Sequence, residues 1–179
     1  MKKKQYQNIV NEHKNRIFNY AFYYLKNRED AEDVTQDVFI RLWNNWQELD
    51  RKKATAWLLK VTYNRCIDIV RRRKNYENRM QNSVHYTIEN DLVSQDPLSR
   101  PDQNLEFSDT QQSLLAAMDL LPENTKSILL LHYFEGLQYR TIGEILDLNV
   151  GAVKTAVHRG KKILRDNLEK LYPEMAVSS

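Results

Sequence analysis

The chain has 179 residues, 41% of them hydrophobic and 28% charged, with a formal net charge of +3; this length suits one large domain or two small ones. Its single cysteine, Cys66, excludes an internal disulfide and a cysteine-built zinc site, and indicates an intracellular, cytoplasmic protein. No apolar run approaches the roughly 20 residues that span a bilayer, so we expect no direct membrane insertion. Four glycines and four prolines favour long helices over a many-turned β fold.

Charge is distributed unevenly along the chain. Residues 1–76 have 17 basic and 9 acidic side chains, residues 77–110 have 2 and 7, and residues 111–179 have 8 of each. Basic residues concentrate in 51–74, with nine against one acid, and in 150–179, with a net charge of +3. Two separate cationic surfaces suit a polyanion contacted at two points, although either one alone is equally consistent with a solvated helix face.

Hydrophobic periodicity predicts three helices in the N-terminal part of the chain. The first covers 5–26. The second runs from Asp30 to Trp46, and the acids in its first turns suit the positive end of the helix dipole. After a polar connection at 47–53, the third helix runs from Ala54 to Tyr76. Its Trp57 is a core candidate first and a base-stacking candidate second. The short connections indicate a compact bundle.

The segment 77–108 has no hydrophobic period, is rich in polar side chains and contains Pro97 and Pro101. These features predict a flexible acidic linker between two domains, 1–76 and 109–179, that move relative to each other.

The clearest local motif follows the linker. A short helix at 139–146, a turn at 147–149 and a longer helix at 150–171 have the layout of a helix-turn-helix, with Asn149 as the cap of the second helix. The predicted fold class is therefore all-α: two small helical domains joined by a flexible linker, the C-terminal one containing a helix-turn-helix.

The last helix of this motif is amphipathic. Its apolar stripe consists of Val153, Val157, Leu164, Leu168 and Leu171, with Gly160 on the same side to allow close backbone approach. Its polar side carries Lys154, His158, Lys161, Lys162 and Arg165, flanked by Thr155 and Arg159. Because a helix in the major groove needs an apolar back and a basic front, this division favours DNA binding over an ordinary surface helix.

Residues suited to catalysis do not occur at useful spacings. His13, His85, His132 and His158 are scattered, and Cys66 has no histidine near it in sequence. No glycine-rich phosphate loop is present. The sequence therefore predicts no catalytic, metal or cofactor site, and a protein that is not an enzyme.

Both halves of the chain resemble, in order, the extracytoplasmic-function (ECF) group of bacterial RNA polymerase sigma factors. In the N-terminal half the resembling motifs are DAEDVTQDVFIRLW at 30–43, WLLKVTYNR at 57–65 and RRRK at 71–74. In the C-terminal half they are LLP at 120–122, GLQY at 136–139, IGEIL at 142–146 and VGAVKTAVHRGKKILR at 150–165.

The resemblance implies a protein that binds core RNA polymerase and directs it to promoters by reading the −10 and −35 elements. Docking on the clamp helices of the largest polymerase subunit is then assigned to Asp33, Gln36, Asp37 and Arg41. A second polymerase contact, with the flap region, is also implied.

The resemblance divides promoter recognition between the two domains. Recognition and opening of the −10 element falls to the 47–53 loop and to Lys60, Asn64, Arg71, Arg72, Arg73 and Lys74. Reading of the −35 element falls to Lys154, Thr155, His158, Arg159 and Lys162. His158 is open to two roles, at a base edge or at a phosphate.

An anti-sigma factor is a further partner that the resemblance implies, and the active protein is expected on the nucleoid. The acidic linker either runs through polymerase as a nucleic-acid mimic or only adds solubility. Three residues depart from the family pattern: Gly143 and Gly160 replace a commoner alanine, which is expected to loosen the fold locally, and Asp147 replaces a glycine, which requires a left-handed aspartate. A helix-turn-helix activator or repressor is the alternative, but it leaves the cationic segment 51–74 unexplained.

Overall fold

The computed structural model describes residues 2–84 and 109–173, and within these ranges the ordered elements are helices, without a strand. The all-α fold class is therefore confirmed. The N-terminal domain contains α1 (Lys2–Leu25), α2 (Arg28–Asn44), a short 3-10 turn (Arg51–Lys53) and α3 (Ala54–Val84). The C-terminal domain contains α4 (Asp109–Asp119), α5 (Glu123–Leu129) with a wider π-helical continuation (Leu130–Phe134), α6 (Tyr139–Leu146) and α7 (Val150–Leu171).

The junction between α1 and α2 shows how local sequence sets the N-terminal bundle. Lys26 has the left-handed φ of 54° that ends α1, and the Asn27 side chain accepts a hydrogen bond from the Asp30 amide at 3.0 Å, which caps α2. The apolar stripe that the sequence predicts here is buried: Ala31, Val34, Val38 and Leu42 on α2, and Trp46 just beyond its end. Burial of this stripe fixes which side of α2 faces solvent.

Helix α3 is longer than the sequence predicts. Periodicity places its end at Tyr76, whereas the helix continues to Val84. Residues 74–80, where the added turns begin, all have exposed side chains, including Tyr76 and Met80. No buried apolar stripe therefore marks this part of the helix. The part of the predicted linker that begins at residue 85 lies outside the described residues.

Close packing of α5 against α7 organises the C-terminal domain. A Cβ placed on Gly160 of α7 would lie 2.6 Å from Thr125 Cγ2 and 3.1 Å from Leu129 Cδ1. This glycine therefore allows the close backbone approach that the sequence predicts, and it tightens the packing there. The π-helical continuation of α5 ends at Phe134, and Gly136, two residues further on, has a left-handed φ of 66°.

The two domains contact each other. A continuous apolar core includes buried residues of both, such as Tyr20 and Leu131. At its edge the rings of Tyr23 and Phe134 lie 4.9 Å apart, centroid to centroid. Helix α3 also packs against α6. The domains that the sequence predicts as separate units are therefore packed together in this structure.

Candidate nucleic-acid interface

The turn of the helix-turn-helix has the geometry that the sequence predicts. Asp147 ends α6 with φ 56° and ψ 44°, the left-handed conformation. The Asn149 side chain accepts a hydrogen bond from the Ala152 amide at 2.7 Å and so caps α7. Aspartate tolerates this conformation better than most residues, so the turn forms without glycine at 147.

Gly143 has a different role from the one that the sequence suggests. A Cβ on this residue would lie 2.5 Å from the Leu148 carbonyl oxygen, and the Leu148 amide donates to the Gly143 carbonyl oxygen at 2.9 Å. The expectation that Gly143 loosens α6 is wrong, because a side chain there would push the turn away. Its missing side chain lets the two helices meet.

Helix α7 presents a basic strip to solvent. Val153, Val157 and Gly160 are buried against the domain, whereas Leu171 of the predicted stripe is 44% exposed because it lies at the end of the helix. The five predicted −35 residues are all exposed and recur on one face: Lys154, Thr155, His158, Arg159 and Lys162. A basic strip on one exposed helix face is the kind of surface that an α-helix presents to the major groove of DNA.

The predicted −10 residues on α3 are in three different situations. Asn64, Arg71 and Arg72 are exposed. Arg73 pairs with Asp30 of α2, within its own domain. Lys60 and Lys74 reach the C-terminal domain.

The contacts made by those two lysines cross the domain boundary. Lys60 Nζ lies 2.8 Å and 3.1 Å from the carboxylate oxygens of Asp147, and Lys74 Nζ pairs with Glu123. The structure therefore does not bring all the cations of α3 into one open row.

The loop before α3 is ordered by its own residues. The Asp50 carboxylate accepts from the Lys52 amide at 3.0 Å, and the Arg51 guanidinium lies 5.4 Å from the centre of the Trp46 ring. Trp57 is partly buried and packs against the core, as the core alternative predicts.

The acidic face of α2 is partly committed to internal pairs. Asp33, Gln36 and Arg41 are exposed. Asp37 lies between two arginines, with Oδ2 3.0 Å from Arg41 Nε and 2.7 Å from Arg65 Nε. Asp37 therefore links α2 to α3 in addition to facing solvent.

Two exposed apolar surfaces were not predicted from the sequence. On α2, Ile40 is 59% exposed and Trp43 is 42% exposed. In the C-terminal domain, a groove of about 370 Å³ is lined by Leu114, Met118, Leu129, Tyr133, Phe134, Leu164 and Leu168. Lys161 and Arg165 also line it. Exposed apolar surface next to charge is typical of protein contact sites, and the exposed Tyr133 and Phe134 before Gly136 were the available signal.

The side chains that could serve catalysis or metal binding, such as His13 and Cys66, are held within the fold. The His13 ring makes a hydrogen bond to the Thr55 hydroxyl at 2.8 Å and one to the Ile9 carbonyl oxygen at 3.1 Å. Burial raises the pKa of the Cys66 thiol well above its usual range, so the thiolate is scarce. Among the residues that the structure describes, no cluster of histidine, cysteine or acidic side chains could hold a metal ion. None of the described helices is long and apolar enough to cross a bilayer.

Comparison with known families places these surfaces in context. Residues 9–76 match Sigma-70 region 2, and residues 111–164 match Sigma-70, region 4. The first match covers the acidic face of α2 and the predicted −10 residues, and the second covers the helix-turn-helix.

Two curated relatives match nearly the whole of this chain. The chain is 33% identical over 172 residues to the ECF RNA polymerase sigma factor SigW of Bacillus subtilis, a match covering 93% of this chain and 90% of that protein. It is also 33% identical over 171 residues to the ECF RNA polymerase sigma factor SigE of Mycolicibacterium smegmatis, covering 96% of this chain and 64% of that longer relative.

Two solved structures share the fold. One is the sigma factor RpoE in complex with the anti-sigma factor NepR from Bartonella quintana, with a TM-score of 0.69, 18% identity and coverage of 93% of this chain and 98% of that one. The other is CnrH in complex with the cytosolic domain of CnrY, with a TM-score of 0.66, 18% identity and coverage of 94% and 90%. The matches to both Sigma-70 regions and the identity to SigW show that the chain belongs to the ECF family of RNA polymerase sigma factors.

Proposed function

We propose that this protein binds bacterial core RNA polymerase and directs it to promoters by reading the −10 and −35 elements. The observation that carries this proposal is the presence on one chain of two helices rich in basic residues, α3 and α7, within matches to Sigma-70 regions 2 and 4 in that order. A helix-turn-helix activator or repressor would account for α7 alone.

In this proposal α7 enters the major groove of the −35 element. The exposed strip of Lys154, Thr155, His158, Arg159 and Lys162 supplies the contacts. Arginine and lysine reach guanine edges or phosphates, and threonine offers a hydroxyl and a methyl group. The capped N-terminus of α7 adds a favourable dipole toward phosphate.

Helix α3 and the loop before it would recognise and open the −10 element. Asn64, Arg71 and Arg72 are exposed, where they can follow a strand that is leaving the duplex. A base captured in the loop 47–53 would offset the stacking energy lost on opening. Lys60, Arg73 and Lys74 join this surface when their present ion pairs open.

Two surfaces are proposed for polymerase itself. On α2, Asp33, Gln36, Asp37 and Arg41 form a polar face beside the exposed Ile40, suited to a basic and apolar partner such as the clamp helices. The groove between α4, α5 and α7 is suited to an apolar helix of the flap region.

Regulation and location follow from this role. One structural neighbour is a sigma factor, RpoE, in complex with the anti-sigma factor NepR, and we propose that an anti-sigma factor also holds this chain inactive. It would act in the cytoplasm and on the nucleoid. Catalysis would belong to polymerase, with this chain supplying only recognition.

Transcription with purified components tests the proposal. The templates would be DNA fragments from genes whose transcription rises when this protein is overexpressed. Core polymerase and this protein, without any other sigma factor, should give transcripts from them with a defined start. An activator or repressor would instead bind duplex DNA and give no initiation with core alone. Absence of core-dependent initiation overturns the proposal.

A further inference from the structure

Ion pairs of one polarity join the two domains. Arg16 pairs with Glu135 and Lys26 with Asp119. Lys60 pairs with Asp147, and Lys74 with Glu123. In each pair the N-terminal domain supplies the cation and the C-terminal domain supplies the acid. Two of these cations, Lys60 and Lys74, belong to the α3 surface proposed for DNA, so there the C-terminal domain places carboxylates where phosphates would bind.

Two lysines give this closed arrangement a defined geometry. Lys126 is buried, donates to the Tyr24 carbonyl oxygen at the end of α1 at 3.0 Å, and lies 2.8 Å from Asp119 Oδ1. Lys26 donates to the Leu115 carbonyl oxygen of α4 at 2.9 Å and pairs with Asp119 as well. Each domain thus places an ammonium group near the C-terminal end of a helix of the other, where a cation is favoured. A buried cation holds its partners because leaving it unpaired is costly.

The closed arrangement occupies cations of α3. Lys60 donates to both carboxylate oxygens of Asp147, and Lys74 donates to Glu123. Asp147 belongs to the turn of the helix-turn-helix, and Glu123 to the first turn of α5. A DNA phosphate would have to displace these carboxylates to reach the same ammonium groups.

The other DNA-facing surface is not covered in this way. The basic strip of α7 is exposed along its length, as are Arg71 and Arg72 of α3. Closure therefore affects the two surfaces unequally.

We infer that in the free protein the C-terminal domain masks part of the −10 surface, with Asp147 and Glu123 holding Lys60 and Lys74 in place of DNA, while the α7 strip stays accessible. This inference rests on the proposed role of α3 in −10 recognition. Opening of the two domains then becomes a step that precedes engagement of the −10 strand.

Zero-length cross-linking tests the closed form in the full chain. A carbodiimide joins a lysine directly to a carboxylate that contacts it, so the free protein should yield Lys74–Glu123 and Lys60–Asp147 cross-links. Adding a single-stranded A/T-rich DNA of about 20 nucleotides should lower both yields about fivefold or more. The cross-link between Lys126 and Asp119, which lies within one domain, should persist and serves as the control. Absence of the two inter-domain cross-links, or yields unchanged by DNA, overturns the inference.

A matched pair of variants tests the masking itself. Glu123→Gln with Asp147→Asn removes both masking carboxylates, and asparagine keeps the left-handed turn. Glu12→Gln with Glu169→Gln removes the same charge from exposed positions away from the domain boundary. By fluorescence anisotropy with the same DNA, the first pair should bind about fivefold tighter than the second. Equal affinities, or no binding by either protein, contradict the masking. Absence of core-dependent transcription by the wild-type protein would contradict the proposed function instead, and the cross-links in the free protein would be unchanged.

Discussion

Gly143 and Leu148 close the helix-turn-helix through their backbones: the Leu148 amide donates to the Gly143 carbonyl oxygen at 2.9 Å, and the Leu148 carbonyl oxygen occupies the space of a Cβ on residue 143. Gly143→Ala should therefore lower the free energy of unfolding by about 1–3 kcal/mol, since the clash involves backbone atoms that cannot rotate away. Urea denaturation measures the change.

Gly151→Ala is the matched control for that variant. A Cβ at Gly151 meets only the Asn149 side-chain oxygen, at 3.3 Å, and alanine improves the helix propensity of α7 by about 1 kcal/mol. We expect stability within about 1 kcal/mol of the wild type. Equal effects of the two substitutions would contradict the role assigned to Gly143.

The α7 strip makes a prediction about promoter binding. Lys154→Ala with Arg159→Ala should weaken −35-dependent binding of the holoenzyme about tenfold or more, because both side chains are exposed on the proposed groove face. Association with core polymerase should be unchanged. Lys14→Ala with Lys170→Ala removes the same charge elsewhere and should have a much smaller effect. A loss of core association in the first double variant would refute this division of roles.

The acidic face of α2 predicts a charge-dependent contact with polymerase. Reversal of both Asp33 and Asp37 to lysine should weaken core binding, about five- to tenfold at moderate salt. The pairs that Asp37 makes with Arg41 and Arg65 mean that its reversal also strains the contact between α2 and α3.

Asp33→Lys alone separates the two effects, since Asp33 is exposed. It should reduce core affinity while leaving the unfolding midpoint near that of the wild type. Glu12→Lys on α1 is the charge-matched control. Core affinity that is unchanged by Asp33→Lys and by the double reversal would remove the assignment of this face.

Cys66 should be inert in the folded protein. Its side chain is buried and burial raises its pKa, so little thiolate is present and little of it is accessible. Reaction with a thiol-specific disulfide reagent should be at least about 100-fold slower in buffer than in urea, where unfolding exposes the thiol. Rapid stoichiometric labelling of the native protein would show that this part of α3 opens.

Local features of the fold were predictable where the sequence carries a local signal. The bounds of α6 and α7 agree with the sequence analysis because an apolar period and the cap at Asn149 both mark them. The end of α3 was missed because its last turns have no apolar stripe. The tight turn at Gly143 was misjudged because its cause is a backbone contact with Leu148, which no residue pattern records.

Contacts between distant residues were beyond the sequence. Lys60 and Asp147 are 87 residues apart, and Arg16 and Glu135 are 119 apart. The segregation of charge along the chain indicated that basic and acidic surfaces exist, but it did not say which cations meet which acids. The candidate DNA-binding residues were therefore identified more readily than the ion pairs that now occupy some of them.

Mapping of transcript 5′ ends tests the central claim most directly. Core polymerase would be supplied with this protein alone and with genomic DNA of its host as template, and the starts would be sequenced. The account predicts starts preceded by two shared motifs, near −10 and −35, at a constant separation, and loss of the −35 preference with the Lys154→Ala and Arg159→Ala double variant. Starts with no shared upstream motif, or no initiation above that of core polymerase alone, would contradict it.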